Sequence, residues 1–207
     1  KYQDIEAKTK KVTDFTFRKQ KHLREIKRLE KIQKEKDAEK TEDAALHAKY
    51  IENLKKHDTL QKVRFKKVFL SSFNEELIAS LSYLDFYDAN YKDVQFITLN
   101  LWFEKKYLNE PSLENIIFPS INYQAYQELN RKYQKSFNRD IYHLEVLTFD
   151  MIPLIAATWF GTKEKKLKTS MFNGSYKGKA GNFSIKENKT NRNLLLYKIN
   201  NKQFKKI

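Results

Sequence analysis

From Val68 onward the chain alternates short β-branched and aromatic runs with stretches of helical period, and few architectures accommodate that rhythm. Val68–Ser71, Val94–Leu99 and Ile116–Phe118 read as buried strands, the last stopped by Pro119. Between and after them lie helical faces: Leu77, Ile78, Leu81 and Leu84 within 75–87, and Tyr126, Leu129 and Tyr133 within 123–137. Leu101–Phe103 with Tyr107–Leu108 reads as a short helix ended by Pro111, and Leu144–Phe160 as a more buried helix. Strand, helix, strand, helix, strand, helix is the order of an α/β fold. It predicts a Rossmann-like parallel sheet over residues 67–165, covered by helices and joined by right-handed crossovers.

Two segments flank this body. Residues 1–66 are polar, with Phe15 and Phe17 alternating before a helical pattern sets in. Leu23, Ile26, Leu29 and Ile32 give that helix one narrow apolar stripe; it fades between Asp37 and Asp43 and resumes at Leu46, Tyr50, Ile51 and Leu54. The expectation is a basic helical arm, folded as an αα-hairpin or one bent helix. In the tail, 166–207, Phe183–Ile185 and Leu194–Ile199 read as two strands of a β-hairpin around a polar turn at Glu187–Asn193, with Phe204 and Ile207 closing a third. All four glycines lie between Gly161 and Gly181, where turns are needed.

The residue inventory excludes several chemistries. With no cysteine there are no disulfides, thiolate metal sites or cysteine nucleophiles. His22, His47, His57 and His143 stand apart, without the i+3 or i+4 partner of a helical metal site. No glycine-rich phosphate loop follows a strand, and Ser71-Ser72 lacks the glycines of a nucleophile elbow. The pairs Glu75-Glu76 and Asp85 with Asp88 suit a helix start and a turn better than acid–base chemistry. The reading is therefore of a protein that is not an enzyme and holds no cofactor and no metal. A net charge of +15 points to an anionic partner, although the richness in Lys, Asn, Ile and Tyr is also what AT-rich coding writes into any protein. No run of 18 apolar residues is present; the longest, Met151–Phe160, is interrupted by Pro153. A soluble chain is expected, belonging to a longer protein.

Three local patterns resemble bacterial penicillin-binding-protein activators, relatives of the branched-chain amino-acid-binding proteins. One is Leu84-Asp85-Phe86-Tyr87-Asp88 leading into Val94–Leu99 and Leu101-Trp102. Another is Leu147-Thr148-Phe149-Asp150-Met151-Ile152, and the third is Tyr176-Lys177-Gly178 with Gly181, Phe183 and Ile185. In the third, glycines admit positive φ before a strand whose aromatic alternates inward, while Glu187-Asn188-Lys189 stands where the family has Asp-Gly.

The resemblance implies the C-terminal part of a type I periplasmic-binding fold and a periplasmic location, with membrane contact only through an N-terminal anchor outside this sequence. It implies a non-catalytic regulator that docks on a peptidoglycan synthase, a penicillin-binding protein. The alternatives are a receptor for a small amino-acid-like or amide ligand of an ABC transporter and, from another class, a basic nucleic-acid-binding protein using the helix from Arg18 to Lys36. Glu25, Glu30 and Glu35 dilute that basic stripe, so nucleic acid is not the expected partner. Open α/β sheets bind ligands at the carboxyl ends of their strands. On that rule the candidate cleft residues are Ser72, Phe73, Asn100, Trp102 and Ser120, with Phe149 and Asp150 at a helix start. Leu23, Ile26, Lys27 and Lys31 are the candidate protein-docking residues of the arm.

Overall fold

The computed structural model describes residues 2–37, 42–163 and 166–207. The chain splits into two compact units, Lys1–Phe96 and Ile97–Ile207. The charged stretch 38–41 and the expected lobe boundary at residue 165 lie outside the described residues.

The first unit is mainly helical: α1 (Tyr2–Val12), α2 (Phe15–Asp37), α3 (Glu42–Lys55), β1 (Lys67–Leu70), α4 (Asn74–Phe86) and the opening residues of β2 (Gln95–Thr98). Helix thus begins far ahead of the apolar stripe, at Tyr2. It breaks at Asp14, whose φ of +52° is left-handed, a conformation that Asp tolerates better than most residues. Helices α2 and α3 form the expected αα-hairpin, and Ile26, Leu29, Ile51 and Leu54 make its core. The buried face differs from the stripe in the sequence. It runs through His22, Ile26, Leu29 and the half-buried Gln33, while Leu23 is 47% exposed. Spacings of four, three and four follow the 3.6-residue turn, whereas a repeat of three drifts around the helix. His22 and Gln33 escape hydrophobic pattern reading because they serve the hairpin as polar members. The His22 Nε2 lies 3.0 Å from the Leu54 carbonyl, Gln33 donates to the Ala44 carbonyl at 2.9 Å, and Lys55 pairs with Glu30 at 2.6 Å.

Arg18 holds this unit together. Its side chain is 4% exposed. Nε donates to the Thr13 carbonyl at 2.8 Å, Nη2 to the Tyr87 carbonyl at 2.8 Å, and Nη1 to the Gln61 carbonyl at 2.6 Å and to Asp88 at 3.0 Å. One planar fork thereby ties α2 to the α1–α2 corner, to the segment after α3 and to the end of α4. The Phe15 ring packs on Tyr87 beside it at 4.7 Å, and the Tyr87 hydroxyl donates to Glu6 of α1 at 2.8 Å.

The second unit carries the rest of β2, then β3 (Ile117–Ser120), α5 (Tyr123–Phe137), α6 (His143–Phe149), α7 (Met151–Gly161), β4 (Gly174–Gly178), β5 (Gly181–Lys186), β6 (Lys189–Arg192), β7 (Leu195–Asn200) and β8 (Gln203–Lys206). Where a short helix is expected after β2, only 3₁₀ turns form, at Lys105–Asn109 and Pro111–Leu113. Strand β2 runs parallel to β3 with Ile97 opposite Ile117. Strand β7 is antiparallel to β3, with Phe118 opposite Tyr197, and β8 returns along β7 with Ile199 opposite Phe204. The five-stranded order is β1-β2-β3-β7-β8. The sheet is mixed and not purely parallel, because the chain's last two strands complete it.

The tail is accordingly not a single two-stranded hairpin. Glu187 (φ +51°) and Asn188 (φ +64°) make a two-residue turn of the primed type, closing Lys186 against Lys189. The strand after that turn is the polar Lys189–Arg192, which has no apolar alternation to reveal it. Strands β4, β5 and β6 form their own antiparallel sheet, while Leu195–Asn200 departs to join β3. Asn201 (φ +51°) and Lys202 (φ +56°) make a second such turn between β7 and β8.

The core of this unit is aromatic. Phe103, 2% exposed, meets Phe118 of β3 at 5.8 Å, Tyr123 and Tyr126 of α5 at 4.7 and 5.4 Å, Tyr197 of β7 at 5.0 Å and Phe204 of β8 at 5.2 Å. Helix α5 is set by its ends: the Asn122 side chain accepts from the backbone N–H of Gln124 and Ala125, and Asn138 closes it in the left-handed conformation. The expected buried helix at Leu144–Phe160 is instead two helices meeting at Asp150, and α7 has no buried residue. Apolar composition marked the segment for burial; within this chain only one side of it meets other residues.

Replacing Arg18 with Met should cost about 3 kcal/mol, because several buried carbonyls lose their donor at once. Arg18→Lys should recover less than half of that, a point charge being unable to reach partners spread around a fork. Urea unfolding of the two variants checks both values.

Candidate functional site

In the second unit, parallel strands β2 and β3 end side by side. With Ile97 opposite Ile117, β2 ends at Thr98 and β3 at Ser120, so of the nominated residues Ser120 closes β3 while Asn100 lies two residues beyond β2. Trp102 follows, half-buried, its ring 6.0 Å from Tyr126, 5.3 Å from His143 and 5.5 Å from Phe103. Burial pushes the Tyr126 phenol up to about 12, so it stays neutral across the physiological range. The Asn100 backbone N–H donates to the Thr98 hydroxyl at 3.1 Å, turning the chain sharply off β2.

Two polar atoms here stand out energetically. The Ser120 Oγ, on a residue 1% exposed, and the Trp102 Nε1 are both buried without a hydrogen-bond partner among the described residues. Leaving such a group unmatched costs about 1–3 kcal/mol, so unmatched groups deserve an explanation. Both are neutral, and the indole N–H can only donate.

Phe149 and Asp150 are differently placed. Phe149 is 42% exposed at the end of α6. The Asp150 carboxylate is buried and engaged: Oδ1 accepts from the Lys179 N–H at 2.6 Å, and Oδ2 from the Ala180 N–H and from Arg192 Nη1, both at 3.1 Å. It anchors the β4–β5 turn to the α6–α7 junction. Gly178 has no Cβ for this reason, since one there would stand 2.1 Å from Asp150 Oδ2. Gly181, by contrast, has the positive φ (+115°) that the sequence suggests. Neither Arg192 nor this use of Gly178 is evident from sequence, because the partners lie 42 and 28 positions from Asp150 with no periodic pattern linking them.

In the first unit, Ser72 follows β1, its Oγ 3.4 Å from the Ser80 Oγ, and Phe73 is 62% exposed at the start of α4. On the arm, Lys27 and Lys31 are exposed and Leu23 largely so, but Ile26 is 7% exposed within the hairpin core and offers a partner no apolar anchor. A groove of about 660 Å³ between α2 and α3 is lined by Lys27, Lys31, Lys34 and Lys55 with Glu30 and Ile51. Among the described residues no group of three His, Cys, Asp or Glu side chains is placed to hold a metal ion.

No protein-family model and no curated protein matches the chain. Solved structures do. A Rhodospirillum rubrum protein assigned as a branched-chain amino acid ABC transporter matches with a TM-score of 0.56 at 13% identity, over 69% of this chain and 44% of its own. The R. palustris solute-binding protein of an ABC transporter, in complex with benzoate, matches with a TM-score of 0.52 at 11% identity, over 69% of this chain and 42% of its own. An extracellular ligand-binding receptor from Desulfohalobium retbaense gives 0.54 at 12%, over 69% and 26%. The fold is thus periplasmic-binding-protein-like. The chain spans less than half the length of these structures.

Gly178→Ala should destabilise the protein by about 2 kcal/mol by forcing the locked Asp150 carboxylate aside, read as a lowered denaturant midpoint. A second outcome concerns the loop before α6. Arg139, the Tyr142 N–H and the Tyr133 hydroxyl hold the Glu145 carboxyl down at about 2. This network's stabilisation is present above the ordinary Glu range and is lost as pH falls towards 2. Side-chain carboxyl NMR should show Glu145 titrating well below the other glutamates.

Proposed function

We propose that the chain is a ligand-recognising module of the solute-binding class, acting in the periplasm or outside the cell. Its ligand would be a small organic anion bound at the carboxyl ends of β2 and β3. The observation that carries this reading is the pair of buried, unmatched polar groups, Ser120 Oγ and Trp102 Nε1, at the strand ends where open α/β sheets place their sites. Both can donate to a carboxylate, and the Trp102, Tyr126 and His143 rings give such a ligand an aromatic wall. One matched structure is assigned to branched-chain amino acid transport and another holds benzoate, both carboxylates, which supports that ligand class.

A second reading, a regulator docking on a peptidoglycan synthase, draws support from the α2–α3 hairpin. There Leu23 and the lysines lining the groove are exposed. In that reading Leu23→Asp abolishes binding to the synthase and leaves solute binding intact.

The chain has two tryptophans, so Trp159→Phe leaves Trp102 as the sole tryptophan, which can be excited apart from the tyrosines. Titration of this variant with branched-chain amino acids and aromatic carboxylates should give a saturable emission change. Ser120→Ala should weaken the affinity about tenfold, the worth of one hydrogen bond to a charged group. Flat titrations across the panel, or an affinity indifferent to Ser120→Ala, would refute the site.

A further inference from the structure

The positive charge of the chain is concentrated in its tail. Residues 166–207 hold eleven Lys and Arg against a single acid, Glu187, while the other 165 residues hold 30 against 25. Of the net +15, the tail therefore supplies +10. A coding bias towards Lys does not explain this, because the rest of the chain shares the bias and keeps its acids. Among the described residues only Arg192 of these cations has an ion-pair partner, Asp150. Like charges also face each other directly across strands, Lys186 opposite Lys189 and Lys198 opposite Lys205, an arrangement that costs stability.

The β4–β5–β6 sheet sorts its side chains by face. Alternation turns Phe183 and Ile185, both buried, to one side, where Tyr176 stacks on Phe183 at 5.2 Å and Arg192 reaches Asp150. The register places three polar rows on the other. Lys177, Asn182 and Asn193 form the first, the Asn193 N–H donating to the Asn182 carbonyl at 3.3 Å. Ser175, Ser184 and Asn191 form the second, and Lys186 with Lys189 the third. All but the half-buried Ser184 are exposed. The first two rows, with Tyr176 and Phe183 between them in the sheet, line a recess of about 370 Å³. Successive rows lie about 7 Å apart, so the two cationic rows stand about 13 Å from each other with neutral hydrogen-bonding groups between them. Among the described residues no carboxylate belongs to this face; Glu187 sits in the turn beyond the third row.

We infer that this face binds an acidic polysaccharide, with anionic groups at the two lysine rows and sugar hydroxyls on the Ser and Asn row. Asn amides and Ser hydroxyls both donate and accept, as sugar hydroxyls do, and Lys meets an anion as a point charge. Other polyanions fit the rows less well. Single-stranded nucleic acid calls for aromatic side chains on which bases stack, and here the rings point to the opposite side. A DNA duplex carries a charge about every 3.4 Å along each strand, far denser than the lysine rows. A membrane surface calls for apolar groups to insert beside the lysines, and the rows contain none. The face includes none of the strand-end residues, so the inference stands or falls apart from solute binding near Ser120.

Hyaluronate, in which carboxylated and neutral sugars alternate, is the probe, used with the full chain near physiological ionic strength. Neutral dextran, a short DNA duplex and phosphatidylserine vesicles are the comparisons. Hyaluronate should bind saturably and dextran should not. Lys177→Gln combined with Lys189→Gln should weaken binding at least about tenfold. Lys27→Gln combined with Lys31→Gln, an equal change of net charge in the other unit, should leave it within about twofold. Ser184→Ala combined with Asn191→Ala, which leaves every charge in place, should weaken it about fivefold. Asn182→Asp, a near-isosteric change at an exposed position that adds repulsion, should also weaken it, and keeps the test open if the paired changes unfold the sheet. Urea midpoints show which variants are folded. Absence of hyaluronate binding, equal losses from the two lysine pairs, or indifference to the neutral pair would each overturn the inference. So would tighter binding to the duplex or the vesicles than to hyaluronate.

Discussion

The ring of Phe103 is the contact on which the sheet unit depends. It lies just past β2 and touches aromatic rings from β3, α5, β7 and β8. Strands β7 and β8 come from the far end of the chain, nearly 100 positions later, and their hydrogen bonds alone give no reason to choose β3 as neighbour. Tyr197 and Phe204 supply one, since only beside β3 do their rings close on Phe103 and Phe118. Edge-to-face and tilted pairs of this sort add about 0.5–1.5 kcal/mol each beyond the area they bury. The mixed character of the sheet is in this sense a consequence of its aromatic core. In the helical unit a polar residue does the equivalent work, Arg18 gathering carbonyls from three segments around one guanidinium.

Both organising residues illustrate what can be read from sequence. The strands at Val68–Leu70, Gln95–Thr98 and Ile117–Phe118 and the helices at 74–86 and 123–137 are legible because periodicity reports burial on one face, a local property. The partners of an element are not local. Strand β6, Lys-Thr-Asn-Arg, has no alternation at all and exists because Glu187 and Asn188 adopt left-handed conformations that fold it back on β5. Arg18 reads as one more charge on a basic helix until the carbonyls of Thr13, Gln61 and Tyr87 around it are known. His22 falls outside the apolar stripe yet lies on the buried face.

The candidate site was legible to a similar extent and for a similar reason. The rule that ligands gather at strand ends needs only the strand boundaries, and it selects Asn100, Trp102 and Ser120. It does not tell which helix-start carboxylate is free. Asp150 looks in sequence like an acid exposed at the beginning of a helix. In the structure it is the buried partner of Arg192, with Gly178 kept bare to make room for it. The Tyr-Lys-Gly and Gly-x-Phe-x-Ile pattern of the tail thus meets two different physical requirements, a positive φ at Gly181 and a vacated Cβ position at Gly178.

Trp102 shows what packing can demand of one side chain. Its ring stands between Phe103, Tyr126 and His143, an arrangement that the aromatic core requires for its own sake. That contact fixes the ring plane and leaves the orientation of Nε1 no freedom to seek a partner elsewhere. An indole in water would hydrogen-bond its N–H at no cost; here the core's geometry holds it without one. Ser120 is in the same position for a different reason, since the backbone of β3 aims its hydroxyl and pairing with Leu195 of β7 keeps the strand from turning. The stability of the aromatic core and the sheet therefore offsets two unmet hydrogen bonds at the strand ends.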